Sequence, residues 1–190
     1  MSDISDIETI DRVLSGNLNA YEILVKKYQD RIFRYVYSRI PDYDEALDIT
    51  QEIFVLTMES LRTFRRESKF STWLYSIAIN YCKNFKRKKR RYREVPIQRT
   101  GSDSEYELQL TDARQNPERD VIARDSLRIV MEELQKLPED YRDILVLRDI
   151  EGESYSDIAD ILSISLSNVK VRIHRGREML KSRLQHRGLL

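Results

Sequence analysis

The chain has 190 residues, 41% of them apolar and 34% charged, and its 33 basic and 32 acidic side chains leave a net charge of +1. A single cysteine, Cys82, excludes an internal disulfide and a zinc site built from several cysteines. Five Gly and four Pro are too few for a loop-rich or β-rich fold and favour helices.

The opening stretch MSDISDIETIDRV is acidic and polar, unlike a signal peptide. No apolar run approaches the ~20 residues of a membrane span. A soluble, cytoplasmic, mostly helical protein without membrane insertion is expected. From Ala20 to Arg39, apolar residues fall at Tyr21, Leu24, Tyr28, Ile32, Tyr35 and Val36, the spacing of an amphipathic helix. Pro41 breaks it. A second helix follows in PDYDEALDITQEIFVLTMESL, with Ala46, Ile49, Ile53 and Leu61 as its apolar stripe. FRRESKFST is a polar interruption in which Ser71 or Thr72 can cap the next helix. That helix is expected to start at Trp73 and to bury Leu74, Ile77, Ala78, Tyr81 and Phe85.

Its pattern runs without Gly or Pro into YCKNFKRKKRRYR, eight basic residues and no acid between Tyr81 and Arg93. Alone, such a run suits a disordered tail, a nuclear-localisation patch, a membrane-surface anchor or the DNA-facing end of a helix. Fused to a helical pattern, it reads as a helix C-terminus, where cations complement the helix dipole. From Glu94 to Pro117 periodicity vanishes among Pro, Gly, Ser, Thr and many acids, as in a linker. It resumes at Ala123, Leu127, Val130, Leu134 and Leu137. Pro138 then opens a helix, EDYRDILVLRDIE, that Gly152 ends.

Charge is segregated along the chain. Residues 62–93 hold 12 basic residues against one acidic, and residues 166–190 hold seven against one. Between them, residues 94–165 hold eight basic against 18 acidic. Two basic blocks separated by an acidic one suit two contacts with a polyanion, with acidic flanks limiting non-specific binding.

ESYSDIADILSISLSNVKVRIHRGREMLKSRL is the most informative stretch. Ser154 with Asp157 resembles a capping arrangement before a short helix burying Ile158, Ala159 and Leu162. SIS makes a turn, and Ser165 caps a second helix burying Val169, Ile173, Leu180 and Leu184. A short helix, a tight turn and a longer basic helix form a helix-turn-helix. Opposite Val169 and Ile173 lie Ser167, Asn168, Val171, His174 and Arg175, flanked by Lys170 and Arg172. Arg can bond bidentately to guanine, Asn to adenine, and Val can touch a thymine methyl.

With these motifs in order, the chain resembles bacterial sigma factors of the extracytoplasmic-function (ECF) group of the sigma-70 family. DEALDITQEIFVLTMESLRTFRRESKFSTWLYSIAINYCKNFKRKKRR looks like sigma region 2, and LPEDYRDILVLRDIEGESYSDIADIL with SNVKVRIHRGREML looks like region 4. The resemblance implies an all-α chain of two small helical domains: region 2 over residues 1–93, an acidic flexible linker over 94–120, and region 4 over 121–190. It implies an alternative sigma factor that binds core RNA polymerase at the β′ clamp helices and β flap and directs initiation at −10 and −35 promoter elements. An anti-sigma factor is an implied partner; no cofactor and no obligate homo-oligomer are expected.

By position, Asp48, Gln51, Glu52 and Phe54 lie on the helix that docks on the clamp, although Phe54 reads equally as core. Arg65, Arg66, Ser68, Lys69, Phe70, Ser71 and Thr72 match the loop that receives a flipped −10 base, and Asn80 matches a base-recognising position. Trp73 can stack on that base, but its spacing with Ile77 favours core packing. Lys83, Arg87, Arg90 and Arg91 would follow the backbone. In region 4 the matched reading positions are Lys170, Val171, His174 and Arg175, with Asn168 and Arg172 on the backbone and Ser167 beside them. The chain departs from the family's usual pattern at Ser163, where Gly is common, and at Gly176, where Ala is usual.

Two other readings compete. A stand-alone regulator would use the helix-turn-helix alone and dimerise through the N-terminal helices. An enzyme would need a nucleophile–base pair, a phosphate-cradling loop or a metal-ligand cluster, none of which is evident, and His174 and His186 lack catalytic partners.

Overall fold

The computed structural model of the chain describes residues 2–93 and 128–188, all helices and turns, with no strand among the described residues. The linker expected over 94–120, and Ala123 and Leu127, lie outside the described residues.

The N-terminal unit has four helices: α1 (Ser2–Leu14), α2 (Tyr21–Arg39), α3 (Tyr43–Ser60) and α4 (Phe70–Arg93). α2 and α3 form where expected. Ile40 turns extended before Pro41, and Asp42 caps α3 by accepting the Glu45 amide at 2.9 Å. The core stripe of α2 (Leu24, Ile32, Tyr35, Val36) meets Ala46, Ile49 and Ile53 of α3 and Leu74, Tyr75, Ala78 and Cys82 of α4. α1 was not expected from the acidic opening. It buries Ile10 and Val13, and it also buries Asp6, whose carboxylate accepts the Tyr28 hydroxyl at 2.6 Å and pairs with Lys27.

α4 begins three residues earlier than expected. Phe70 is buried and packs against Phe64 and Trp73, with ring centroids 5.8 and 5.9 Å away. Burying that ring draws Ser71 and Thr72 inside the first turn, so neither is the cap. The helix then continues unbroken through the basic run to Arg93.

The C-terminal unit comprises a helix described over residues 128–135 (α5), α6 (Glu139–Leu145), α7 (Tyr155–Leu162) and α8 (Leu166–His186). Its core joins Leu134, Leu137, Ile144, Leu145, Ile158, Ile161, Val169 and Ile173. The helix after Pro138 does not run regularly to Glu151: Val146–Ile150 widens into a π-turn, and Gly152 at φ +74° ends it. Gly176 is more than a lost helix propensity. A Cβ there would lie 3.2 Å from the buried Leu145 side chain, so the bare backbone lets α8 close on α6.

Ser163, between α7 and α8, adopts φ +53°, ψ +47°. A Cβ in that left-handed region costs roughly 1–2 kcal/mol, so Ser163→Gly should stabilise the fold by ~1 kcal/mol in urea unfolding. Gly176→Leu should destabilise it by about 1–3 kcal/mol through overpacking against Leu145.

Candidate nucleic-acid interface

α7 and α8 form a capped helix-turn-helix. Ser154 Oγ accepts the Asp157 amide at 3.1 Å, and Ser165 Oγ accepts the Asn168 amide at 3.3 Å, each satisfying a free N–H of a first turn. Val169, Ile173 and Gly176 turn one face of α8 into the core. The opposite face exposes Ser167, Asn168, Lys170, Val171, His174 and Arg175 together. Arg172 does not join them. It is half-buried, with a guanidinium nitrogen 3.3 Å from Asp140 of α6.

α4 and the loop before it build a second cationic surface. Arg65, Arg66, Ser68 and Lys69 are exposed on the loop, and Asn80 is exposed on the helix one turn before the basic run. Arg66 holds φ +62° and pairs with Asp11 of α1. Lys83, Arg87, Arg90 and Arg91 are exposed on the same helix, while Lys89 bonds Glu45 at 2.6 Å. Phe70, Ser71 and Thr72 are buried, and Trp73 is half-buried against Phe64 with centroids 5.2 Å apart. These four support the loop from behind. Burial pushes the Cys82 thiol up to about 12, so it stays protonated at neutral pH.

On α3, Asp48, Gln51 and Glu52 are exposed, and Glu52 accepts the Tyr81 hydroxyl. Phe54 is buried, 6% exposed, and packs in the core. Leu47, Val55 and Leu56 are instead the exposed apolar residues on this helix, at 40%, 57% and 39%. Sequence reasoning missed them because they sit off the α3 core stripe, among acids.

Known proteins match this architecture. A family model described as Sigma-70 region 2 matches residues 24–92, and one described as Sigma-70, region 4 matches residues 127–180. The chain is 33% identical over 184 residues to the ECF RNA polymerase sigma-E factor of Haemophilus influenzae, covering 96% of each. It is 37% identical over 183 residues to the RNA polymerase sigma-H factor of Pseudomonas aeruginosa, covering 95% of this chain and 94% of that one.

The chain belongs to the ECF group of the sigma-70 family.

It is thus an alternative sigma factor, directing promoter-specific transcription. Among solved structures, CnrH in complex with the cytosolic domain of CnrY shares its fold at TM-score 0.68 and 24% identity, covering 94% of this chain and 96% of that one. The sigma factor RpoE of Bartonella quintana, in complex with the anti-sigma factor NepR, has TM-score 0.68 and 20% identity, covering 87% and 96%. No helix among the described residues is long and apolar enough to cross a membrane.

In this sigma factor the two units are joined by charge. Arg31 of α2 donates to Glu151 Oε2 at 3.1 Å, to the Glu151 carbonyl at 2.9 Å and to Glu153 at 2.8 Å. Arg34 holds both oxygens of Glu151, at 2.8 and 3.0 Å. Arg39 reaches Glu139 at 3.0 Å and lies 3.4 Å from Asp143. Lys69 bonds Asp157 at 2.8 Å, and Lys86 bonds Glu139 at 2.5 Å. Each of these ion pairs puts the cation on the N-terminal unit and the carboxylate on the C-terminal one. The acidity of the middle block is legible in the sequence; these pairings are not, because they depend on tertiary docking.

Burial pushes the Asp157 carboxyl up, but hydrogen bonds from Lys69 and Ser154 outweigh it and hold the group below its ordinary range. A carboxylate lowered in the native state contributes stability that is fully present above its unfolded pKa of ~3.9 and lost as pH falls through the native value. The urea-midpoint gap between the wild type and Asp157→Asn should therefore be constant from pH 5 to 7 and close below pH ~4. A gap that persists at pH 2 would show that the charge contributes nothing.

Proposed function

We infer that this sigma factor binds core RNA polymerase through the exposed face of α3 and reads promoter DNA through two separate surfaces. The observation that carries the reading is one chain bearing both a cation-lined helix with a basic loop and a capped helix-turn-helix with an open polar face. At the −35 element, α8 lies in the major groove. Arg175 and Lys170 suit guanine edges, Val171 a thymine methyl, and Asn168, Ser167 and His174 complete the face. Arg172, tied to Asp140, orients α8 until it meets a phosphate.

At the −10 element, the loop Arg65 to Lys69 and Asn80 supply polar groups for an unstacked base. Phe70, Ser71, Thr72 and Trp73 shape the wall behind them. Lys83, Arg87, Arg90 and Arg91 follow phosphates. On α3, the acids Asp48 and Glu52 with Gln51 flank exposed Leu47, Val55 and Leu56, a mixture that suits a basic, amphipathic helical partner such as the β′ clamp. Phe54 backs that face from the core. Contact of region 4 with the β flap, and capture by an anti-sigma factor as for RpoE, belong to the same reading.

The test is initiation from a pool of genomic promoters by core polymerase with and without the protein, read by sequencing the transcripts. Protein-dependent starts sharing two promoter elements are expected; tight operator binding without any need for polymerase would favour a stand-alone regulator instead. Arg175→Ala should cost ~1–3 kcal/mol at the −35 element and relax specificity there. Lys88→Ala with Arg91→Ala should weaken binding across all sequences and lower the log–log salt slope by up to ~2.

A further inference from the structure

Helix α1 has no part in the interfaces assigned so far, yet it is firmly built into region 2. Ile10 and Val13 are buried in the core, and the Asp6 carboxylate accepts the buried Tyr28 hydroxyl at 2.6 Å. Asp11, on the exposed side of α1, faces the −10 loop. Arg66 donates to both Asp11 oxygens through its two terminal nitrogens, one of these contacts at 3.4 Å.

Arg66 is also where that loop is strained. Among the described residues, two that are not glycine hold a positive φ: Ser163 at +53° and Arg66 at +62°. They are held differently. Ser163 ends α7, and main-chain bonds fix its turn: its amide donates to the Asp160 carbonyl at 3.3 Å, and that of Ile164 to the Ala159 carbonyl at 3.0 Å. The amides of residues 65–68 donate to no main-chain carbonyl among the described residues. Buried Phe64 and Phe70 pin the loop at its two ends, with ring centroids 5.8 Å apart, and residues 65–69 between them are exposed. A side chain persists in the left-handed region where its surroundings over-determine it. At Arg66 the surroundings that do so are the two oxygens of Asp11.

An unstacked base is read well by groups held in place before it arrives. The dihedrals of Arg66 set the direction of the chain on either side of it, so a return to negative φ would re-aim Arg65, Ser68 and Lys69. We propose that α1 is the anchor of the −10 loop: Asp11 holds Arg66 in its left-handed conformation, and that conformation aims Arg65, Ser68 and Lys69 at the base. Asp11 and Arg66 are positioning residues, and α1 determines −10 specificity through them. The proposal rests on the assignment of residues 65–69 to the −10 element.

The paired side chains are 42% and 52% exposed, so the pair is modest in strength and screened by salt. The test therefore separates conformation from contact. Arg66→Ala and Arg66→Gly both remove the guanidinium, and any bond it makes to DNA is lost equally. Glycine alone takes positive φ as readily as negative. In initiation assays with core polymerase, promoters carrying the −10 element recovered by transcript sequencing are compared with single-base variants of it. Asp11→Ala should lower this discrimination about threefold, while discrimination at the −35 element stays at the wild-type value. Arg66→Gly should discriminate better than Arg66→Ala, and adding Asp11→Ala to Arg66→Gly should change nothing further. Equal discrimination by the two Arg66 variants, or an Asp11→Ala effect that persists beside Arg66→Gly, would overturn the proposal.

Backbone amide relaxation, measured by NMR on the free full-length chain, reads the anchor without polymerase. The heteronuclear NOE of Arg66, Glu67 and Ser68 should fall in Asp11→Ala while that of α4 is unchanged. An unaltered loop NOE would show that Asp11 does not hold the loop. If the wild type itself does not initiate, the −10 assignment fails and the specificity role of α1 fails with it, whereas the NOE still decides whether α1 holds the loop.

Discussion

The Glu151 side chain has no solvent exposure, and the guanidinium groups of Arg31 and Arg34 close on it from α2, each about three-quarters buried. Arg31 also lies against the rings of Tyr28 and Tyr75, 5.8 and 5.7 Å from their centroids. A carboxylate buried this completely is tolerable only because both oxygens are satisfied by charged donors, and removing one partner of such a pair typically costs about 3–5 kcal/mol. The relative position of regions 2 and 4 rests on this group together with Arg39, whose fully buried side chain reaches Glu139 at 3.0 Å and lies 3.4 Å from Asp143. Glu151 is presented by an irregularity: the π-turn at Val146–Ile150 and the positive φ of Gly152 bring it and Glu153 toward the same helix.

The solvated contacts between the regions are weaker. Lys69 and Lys86 are partly solvated, with side chains 43% and 34% exposed, and pairs of this kind contribute at most ~1 kcal/mol each and are screened by salt. Bonds to main-chain carbonyls, from the Arg142 guanidinium to Ser38 at 3.3 Å and from the Gln135 amide to Tyr37 at 3.1 Å, fix register more than affinity. Covalent connection supplies the rest. An effective concentration on the order of mM lets even a micromolar contact keep tethered units mostly closed. The two regions are therefore held by buried grips at Glu151 and Arg39 and by several partly solvated pairs.

What the sequence disclosed follows from how local each feature is. Periodicity located α2 and α3, and the Ser154–Asp157 pair and Ser165 after the turn located the caps, because those forces act within one turn. The continuity of α4 into the basic run was legible for the same reason. The start of α4 was not, since it is decided by Phe70 meeting Phe64, and α1 was hidden because two positions of its buried stripe, Asp6 and Thr9, are polar. On the exposed face of α8, the helical wheel placed Ser167, Asn168, Lys170, Val171, His174 and Arg175 together, but it could not see that Asp140 draws Arg172 aside. On α3 the family resemblance singled out Asp48, Gln51 and Glu52, which are exposed, and left Phe54 undecided between surface and core, a choice that only packing makes.

Charge segregation acquires a structural reason from the same seam. The acidic residues of the middle block that are described here do not simply offset the basic run at a distance. Glu139 takes Lys86 and Arg39, Glu151 and Glu153 take Arg31 and Arg34, and Asp157 takes Lys69. α8 keeps Lys170 and Arg175 outward, and the far end of α4 keeps Lys83, Lys88 and Arg91 outward. A chain with net charge +1 can thus carry two strongly cationic surfaces, because much of its acidity is spent on internal pairing rather than spread over the exterior.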